Sequence, residues 1–457
     1  MQPEAWVGKR VLVVGAGRSG LAAARVLDEL GASVTLTDLK PASALAREGL
    51  GSRVRVVAGA YAPVSREEYD LVIASPGVPP SEPPLRAARE VGLPVWSEIE
   101  LAYRLARQPV LAVTGTNGKT TTTALLGQMF RDAGRTTVVA GNIGVPLVGE
   151  VVKAPEDAVV VAEVSSFQLE TVETFAPRVA VLLNLTPDHL DRHPDLASYR
   201  AAKARIFRRQ RPEDWIVLNF DDPLVRSLAA ETPGRVLYFS TRHELGEGAY
   251  LSDDWVVLSR GAEQVRLLPV RELSLPGRHN WENSLAAAAA AWVFGVSPES
   301  IARTLRSFPG VPHRLEPVGV IGGVAYYNDS KATNPDAAIK ALEAFDRPIV
   351  LIAGGRNKGA SFEELADKMR GRVRHLILLG EAAPAIEAAA RAAGLKTVSR
   401  VADLAEAVTE AGRIARPGEV VLLSPACASW DMFANYEERG ELFKRLVRGR
   451  KETEGES

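Results

Sequence analysis

Residues Pro109-Val110-Leu111-Ala112-Val113-Thr114-Gly115-Thr116-Asn117-Gly118-Lys119-Thr120-Thr121-Thr122-Thr123 form an apolar run that stops at a glycine-rich turn, meets a lysine and restarts in helix-compatible residues. The pattern is that of a strand, a phosphate-binding loop and a helix. Gly115 and Gly118 let main-chain N–H groups converge on phosphate oxygens, and the unpaired N–H groups and dipole of the following helix favour negative charge at the same place. Lys119 can then reach the β/γ-phosphates and the Thr120 hydroxyl can ligate Mg²⁺. The common spacing is G-x-x-x-x-G-K-[ST]; here Val113 stands at the first glycine position, so the loop is the short variant Gly115-x-x-Gly118-Lys119-Thr120. A plain junction with a solvated lysine leaves the two glycines and the Lys-Thr pair unexplained. A ligand with a phosphate chain, foremost ATP, is expected here.

Upstream, the short apolar strand Lys9 to Val14 is followed by Gly15-Ala16-Gly17-Arg18-Ser19-Gly20, a helix through Leu30, and a second strand, Ser33 to Thr37, that ends in Asp38. This is the βαβ dinucleotide fingerprint. NAD is the obvious ligand, and an NAD-dependent oxidoreductase is a competing class. Glycines at a helix N-terminus, however, recognise a diphosphate and do not see nicotinamide, so the diphosphate can equally belong to a substrate. Asp70 to Ala74 is a strand that stops in Ser75-Pro76-Gly77-Val78-Pro79-Pro80, a rigid turn at the end where open α/β sheets place their ligand crevice. Plain turn chemistry accounts for it equally well. A helix from Pro84 to Val91 and a strand at Pro94 to Trp96 close a unit of about 98 residues, an ordinary domain size.

Beyond the lysine loop, Val159 to Ala162 is a buried strand running into Glu163-Val164-Ser165-Ser166-Phe167-Gln168-Leu169-Glu170, and Val179 to Leu183 is another, running into Asn184 to His193. Glu163 and His189 are metal-ligand candidates, the carboxylate suiting Mg²⁺ better than the imidazole. His189 has an alternative as a helix-start residue beside a capping Asp188. In an expected helix from Ala197 to Gln210, Lys203 lies four residues after Tyr199 and four before Phe207, on the apolar stripe. Burial there disfavours the ammonium, and a neutral amine can take up carbon dioxide as a carbamate; the alternative is snorkelling to solvent. After the strand Trp215 to Leu218 and the loop Asn219 to Asp222, roughly 50 residues read as β hairpins. Leu275 to Asn283 then leads into an Ala-rich helix through Phe294, with Asn280 and Asn283 placed either to cap it or to meet a base edge.

A Pro/Gly linker at Phe308 to Pro312 precedes the strand Val324 to Tyr327 and the polar run Asn328 to Pro335. The strands Ile349 to Ala353, Leu376 to Leu379 and Val420 to Leu423 end in the loops Gly354 to Gly359, Gly380, and Ser424 to Asp431. Strands alternating with helices indicate an α/β protein of three domains: Rossmann-like at 1–98, a P-loop-type ATPase domain at 99–310, and a Rossmann-like doubly wound sheet at 311–457. The 55 basic and 56 acidic residues of the 457 nearly cancel, which argues against nucleic acid or an anionic membrane as partner. Met1 to Lys9 lacks a signal-peptide pattern, no stretch approaches about 20 apolar residues, and the single Cys427 allows no internal disulfide and no multi-cysteine metal site. A cytoplasmic location is expected.

Taken together, Thr114 to Thr121, Glu163 with Ser165 to Glu170, Asn184 to Arg192, Gly277-Arg278-His279-Asn280, Pro312-His313-Arg314 and Asn328-Asp329-Ser330-Lys331 resemble the Mur ligase family, ATP-dependent amide ligases that assemble the peptidoglycan stem peptide. The resemblance spans nearly the whole chain. The Gly15-x-Gly17-x-Ser19-Gly20 start, Asp329 to Asn334 and Leu422 to Ser429 point to the activity that adds D-glutamate to UDP-N-acetylmuramoyl-L-alanine through an acyl phosphate, releasing ADP and phosphate. It implies ATP contacts at Gly115, Thr116, Asn117, Gly118, Lys119, Thr120, Thr121, Asn280, Asn283, Arg314 and Asp329. Two Mg²⁺ ions, with Mn²⁺ as the alternative, are implied at Thr120 and Glu163 and at Glu163, His189 and carbamylated Lys203. Lys119, Glu163, His189, Lys203 and Arg314 would be the catalytic set. The UDP-linked substrate would meet Gly17, Ser19, Asp38, Ser75, Gly77, Asn142, Ser165 and Gln168, and D-glutamate would meet Lys331, Thr333, Lys358, Ser429, Trp430 and Tyr436. A monomer is expected.

Overall fold

The computed structural model describes residues 6–45, 49–188, 192–357 and 359–455, with side chains as far as residue 450. Three sheets carry the fold. The first has five parallel strands in the order Arg55–Ala58, Ser33–Asp38, Arg10–Val14, Leu71–Ala74, Val95–Ser97. Val11 to Val14 are fully buried, as a strand covered by helices on both faces requires, which is why it reads as an unbroken apolar run. The strand order reverses between Arg10–Val14 and Leu71–Ala74, the place where such sheets open a ligand crevice.

The second sheet has nine strands in the order Glu263–Pro269, Trp255–Arg260, Gly248–Ser252, Arg235–Ser240, Trp215–Asn219, Val179–Leu182, Val110–Thr114, Val159–Glu163, Thr137–Gly141. It is parallel from Gly248–Ser252 to Thr137–Gly141, and the other two strands are antiparallel. The expected run of hairpins therefore holds only for its last three strands. Arg235–Ser240 pairs parallel with Trp215–Asn219, and the link between them is two short helical turns, Pro223–Arg226 and Ser227–Ala230, too brief to show a helical period. The helix expected over 197–210 runs from Leu196 to Ala204 and is capped by Asp195, whose side chain accepts from Ser198 N. The helix start expected at His189 beside a capping Asp188 falls outside the described residues.

The third sheet has six strands in the order Glu316–Ile321, Val324–Asn328, Val420–Leu423, Ile349–Gly354, Val373–Leu379, Val398–Arg400. All pair in parallel except the first, an edge strand that sequence reading misses because Pro317 and Gly319 interrupt its pattern at a register shift. Leu351, Leu376 and Leu422 pack on one face and Val350, Ile377 and Val421 on the other, so this sheet too is covered on both sides. The chain divides into two compact units. One comprises 1–273 with 282–307 and holds the first two sheets; the other comprises 274–281 with 308–457 and holds the third.

Where the first sheet gives way to the second, Glu98 opens the helix Glu98–Leu105 and is fully buried. Its Oε1 accepts from Val148 N at 2.6 Å, while Oε2 has no hydrogen-bond partner among the described residues. Burial, opposed by the Val148 and Leu147 amides, pushes the carboxyl from 4.5 up to about 7. The folded state thus holds this proton more tightly than the unfolded chain does. The resulting stability is full below pH 4.5 and is lost as pH rises towards 7, a difference on the order of 3 kcal/mol. Glu98→Gln mimics the protonated acid. It should match the wild type in thermal midpoint near pH 4.5 and melt several degrees higher at pH 8; equal midpoints at both pH values would show that the carboxyl is not held neutral.

Candidate active site

At the carboxyl edge of the second sheet, the strand Val110–Thr114 runs through Gly115-Thr116-Asn117-Gly118 into the helix Lys119–Asp132. Gly118 takes φ +85° and a Cβ there would overlap Asn283 Oδ1, so the turn requires glycine both for its conformation and for the approach of Asn283. The loop is held from the end of the neighbouring strand Val179–Leu182 and from the helix Leu196–Ala204. Asn184 Oδ1 accepts from Asn117 N at 2.8 Å, Asn184 O accepts from Thr116 N at 3.0 Å, and the Thr116 hydroxyl lies 3.2 Å from Tyr199 Oη. Asn283 lies inside the helix Arg278–Val293, where its Oδ1 accepts from Thr122 Oγ1 at 3.2 Å, tying it to the loop and not to the helix end. Asn280, on the same helix, donates to Pro276 O at 2.7 Å and is also not an N-cap.

Two amines converge on one carbonyl of this loop. Lys119 Nζ donates to Gly115 O at 2.9 Å and to Thr116 O at 2.7 Å, and Lys203 Nζ donates to Gly115 O at 2.8 Å. Lys203 is 1% exposed and lies 4.6 Å from the Tyr199 ring centre, so its amine does not reach solvent. Burial, reinforced by the Lys119 charge and opposed by Asp188 and Glu163, drives its ammonium well below the usual lysine value. Both influences favour the neutral amine, the form that carbamylation needs.

Glu163 ends its strand 2% exposed. Its Oε1 accepts from Asn142 Nδ2 at 2.7 Å, while Oε2 is buried without a hydrogen-bond partner among the described residues. A buried carboxylate oxygen left open is what a hard cation takes, so Glu163, with Thr120 buried one residue into the facing helix, suits one Mg²⁺. His189, expected for the second ion, lies outside the described residues. Among the described residues no three His, Cys, Asp or Glu side chains come together as a metal-binding group.

Several residues expected to meet the UDP-linked substrate are engaged locally. Ser75 Oγ donates to Gly15 O at 2.8 Å, drawing together the loops on either side of the first sheet's switch point. A Cβ on Gly20 would overlap Gly15 O, so this third glycine is required by packing. Asp38 accepts from Ala16 N at 2.7 Å and from Lys40 N at 2.8 Å, bracing the glycine loop. Ser165 and Gln168 form a capping box for the short helix Ser166–Leu169. Gly17 precedes the helix Arg18–Glu29, Ser19 lies in its first turn, and Gly17 and Gly77 are exposed.

In the second unit, Asp329 follows the strand Val324–Asn328. Its carboxylate accepts from Ser424 Oγ at 2.8 Å and from Leu315 N at 3.2 Å, and burial pushes it up to about 7 against Ser424 and the Arg314 charge. Lys331 Nζ lies 5.6 Å from the Tyr436 ring, and Ser429 is 2% and Trp430 61% exposed. Thr333 N donates to Lys331 O at 2.9 Å. Lys331, Thr333, Ser429 and Trp430 come from the loops after the strands Val324–Asn328 and Val420–Leu423, and Tyr436 opens the last helix, Tyr436–Gly455. Lys358 lies outside the described residues.

Two contributors escape sequence reading. Arg439, 3% exposed, donates Nε to Ser330 Oγ at 2.9 Å and Nη2 to Ser330 O at 2.8 Å, and so links the loop after Asp329 to the last helix. Its spacing from Phe443 and Val447, both buried, was the available signal: all three fall on one helical stripe. His193, 4% exposed, stacks on Phe167 with ring centres 5.7 Å apart and reaches Ser166 Oγ at 3.0 Å. Nothing in its sequence surroundings sets it apart from the nearby His189.

Family models match the chain in three consecutive stretches: Mur ligase MurD-like, N-terminal domain, over residues 9–97; Mur ligase middle domain over 113–291; and Mur ligase, glutamate ligase domain, over 313–427. The UDP-N-acetylmuramoylalanine--D-glutamate ligase of Pelotomaculum thermopropionicum is 54% identical over 442 residues, 96% of this chain and 97% of that protein. The protein of the same name from Desulfitobacterium hafniense is 50% identical over 443 residues, 96% of this chain and 97% of its own length. Among solved structures, a pseudomurein peptide ligase type C from Methanothermus fervidus superposes with a TM-score of 0.60 at 19% identity, covering 97% of this chain and 100% of that one. UDP-N-acetylmuramate-alanine ligase from Thermotoga maritima gives 0.58 at 20% identity, covering 97% and 100%. These two likenesses concern the fold alone.

Proposed function

The chain belongs to the Mur ligase family, and from that premise we propose that it is the ATP-dependent ligase that joins D-glutamate to UDP-N-acetylmuramoyl-L-alanine in peptidoglycan precursor synthesis. Its relatives at 54% and 50% identity carry the name of that activity over nearly their whole length. The structural observation that supports the proposal is the convergence of Lys119 and Lys203 on Gly115 O, with Glu163, one of its oxygens open, paired across the sheet with Val113 just before that turn. Two amines on one glycine turn, with an open carboxylate oxygen on the adjacent strand end, suit a polyphosphate with its counter-cation.

The terminal phosphoryl group of ATP passes to the substrate carboxylate, the amine of D-glutamate attacks the acyl carbon, and phosphate leaves as the amide forms. All the early partners are anions, so positive charge must be fixed in place beforehand. Lys119 supplies it by turning from the loop carbonyls to phosphate oxygens, and Arg314 is assigned the same task. The amides of residues 115–121 cradle the phosphates at the helix N-terminus. Asn280 and Asn283 serve the adenine and Asp329 the ribose. Lys331, Thr333, Lys358, Ser429, Trp430 and Tyr436 hold D-glutamate. The loops of Gly17 and Ser19, Asp38, and Ser75 and Gly77 take the uridine nucleotide, with Asn142, Ser165 and Gln168 towards the muramoyl end. Mg²⁺, when bound, neutralises phosphate charge; Thr120 and Glu163 would hold one ion, and Glu163, His189 and carbamylated Lys203 the other.

Residues 1–98, 99–310 and 311–457 are accordingly assigned to the UDP-linked substrate, to ATP and to the amino acid. Among the described residues no helix is long and apolar enough to cross a membrane. A monomer in the cytoplasm is the proposed working form. Phosphate release measured across a panel of amino acids with each UDP-muramoyl precursor should require UDP-N-acetylmuramoyl-L-alanine and D-glutamate together. Release of ADP without a new amide, or preference for another amino acid, would overturn the assignment.

A further inference from the structure

We infer that Glu98 is a positioning residue for the ligase reaction, acting through the loop 141–146 to hold Asn142 against Glu163; the inference rests on the ligase function proposed above. The loop leaves the strand Thr137–Gly141 beside Glu163. Gly141 takes φ +110° and a Cβ there would overlap Glu163 O, so the backbones run in contact. Asn142 is tied twice to Glu163: its N–H donates to Glu163 O at 2.9 Å and its Nδ2 to Oε1 at 2.7 Å. The second bond fixes which carboxylate oxygen stays open. Gly141 N closes the loop on Val145 O at 2.9 Å, and Arg18 Nη1, from the glycine-rich loop of the first sheet, donates to Gly144 O at 3.2 Å.

Downstream the loop enters the five-residue helix Leu147–Val151, too short to hold its own start in place. Glu98 does so from outside. Its fully buried side chain takes Val148 N, in the first turn, at 2.6 Å, and the helix it opens packs against that short helix. Pro146, just before the helix, has no N–H to offer, so the Glu98 bond is made at the first turn itself. Glu98 therefore ties the strand Val95–Ser97 of the first sheet to the placement of Asn142, and through it to Glu163. Without that acceptor the short helix and the loop before it lose their fixed end, and the site facing the muramoyl end of the substrate loosens.

The test is steady-state phosphate release with full-length enzyme, varying UDP-N-acetylmuramoyl-L-alanine, D-glutamate and ATP in turn. Glu98→Leu should raise the KM for the UDP-linked substrate about tenfold and leave the KM for D-glutamate unchanged, and Glu98→Gln, which keeps an acceptor for Val148 N, should restore it. In a double-mutant cycle, Glu98→Leu added to Asn142→Ala should raise that KM no further, because both act through the same contact. Should the leucine variant not fold, Glu98→Asp, one methylene too short to reach Val148 N, takes its place in the cycle. Unchanged KM values with only a smaller active fraction, or effects that multiply in the cycle, would reduce Glu98 to a structural residue. Absence of turnover in the wild type would instead remove the ligase assignment.

Discussion

Lys119→Ala should abolish measurable ligation, with a loss on the order of 10³-fold in kcat, the usual consequence of removing one preorganised donor from developing charge. The reaction brings a carboxylate to a polyphosphate, and the barrier from like charges is met by cations already in place. Lys119 is such a cation. Its ammonium is held in the phosphate loop by Gly115 O and Thr116 O at 2.9 and 2.7 Å, on the first residue of a helix whose N–H groups face the same space. Alanine leaves the glycine turn intact, because the φ of Gly118 and the Asn184 bonds to Thr116 and Asn117 do not depend on the lysine side chain. The protein should therefore fold and melt as the wild type does, and the defect should appear in ATP affinity and in turnover. Phosphate release with both substrates, paired with a nucleotide titration, checks this. Turnover within tenfold of the wild type would mean that the loop does not hold the reacting phosphate.

The second large effect is expected at Lys203. The amine is buried, with Lys119 nearby, and both shift its proton equilibrium towards the neutral form. A neutral amine adds carbon dioxide: the nitrogen lone pair forms a bond to carbon, one proton leaves the nitrogen, and a carbamate oxygen pair results. On the carbamate proposed above, Lys203 would become an oxygen ligand. Lys203→Ala should lose activity by about 10²- to 10³-fold, comparable with removing a group that orders a catalytic cation. Short carboxylic acids, acetate or formate, should restore part of it by placing a carboxylate where the carbamate stood. Bicarbonate-free buffer should lower wild-type activity reversibly, and native mass spectrometry should find one added CO₂ on the wild type and none on the variant. Wild-type rates from Lys203→Ala without any acid would end the carbamate proposal.

Much of the molecule was legible in its residues. Buried parallel strands appear as unbroken apolar runs, so Lys9 to Val14, Val110 to Thr114 and Val420 to Leu423 could be read directly, and each is followed by a loop whose residue types name its chemistry. The spacing of Tyr199, Lys203 and Phe207 showed a lysine on an apolar stripe, and Lys203 is indeed buried. Elements were missed where the local pattern was broken or too short: Glu316–Ile321 carries Pro317 and Gly319, and Arg55–Ala58 and Val398–Arg400 are brief edge strands.

The residue order by itself determined the two glycine turns at strand ends and the alternation of strands and helices, because glycine conformation, apolar periodicity and helix starts are local properties of the chain. Only the tertiary structure decided that Lys119 and Lys203 share Gly115 O, that Asn142 leaves one oxygen of Glu163 open, that Asn283 braces the loop instead of capping its helix, and that Arg439 and Glu98 reach across to distant loops. Each of those joins residues far apart in the chain, and such pairings depend on sheet order and on which side chains are denied water, neither of which a local window of sequence contains.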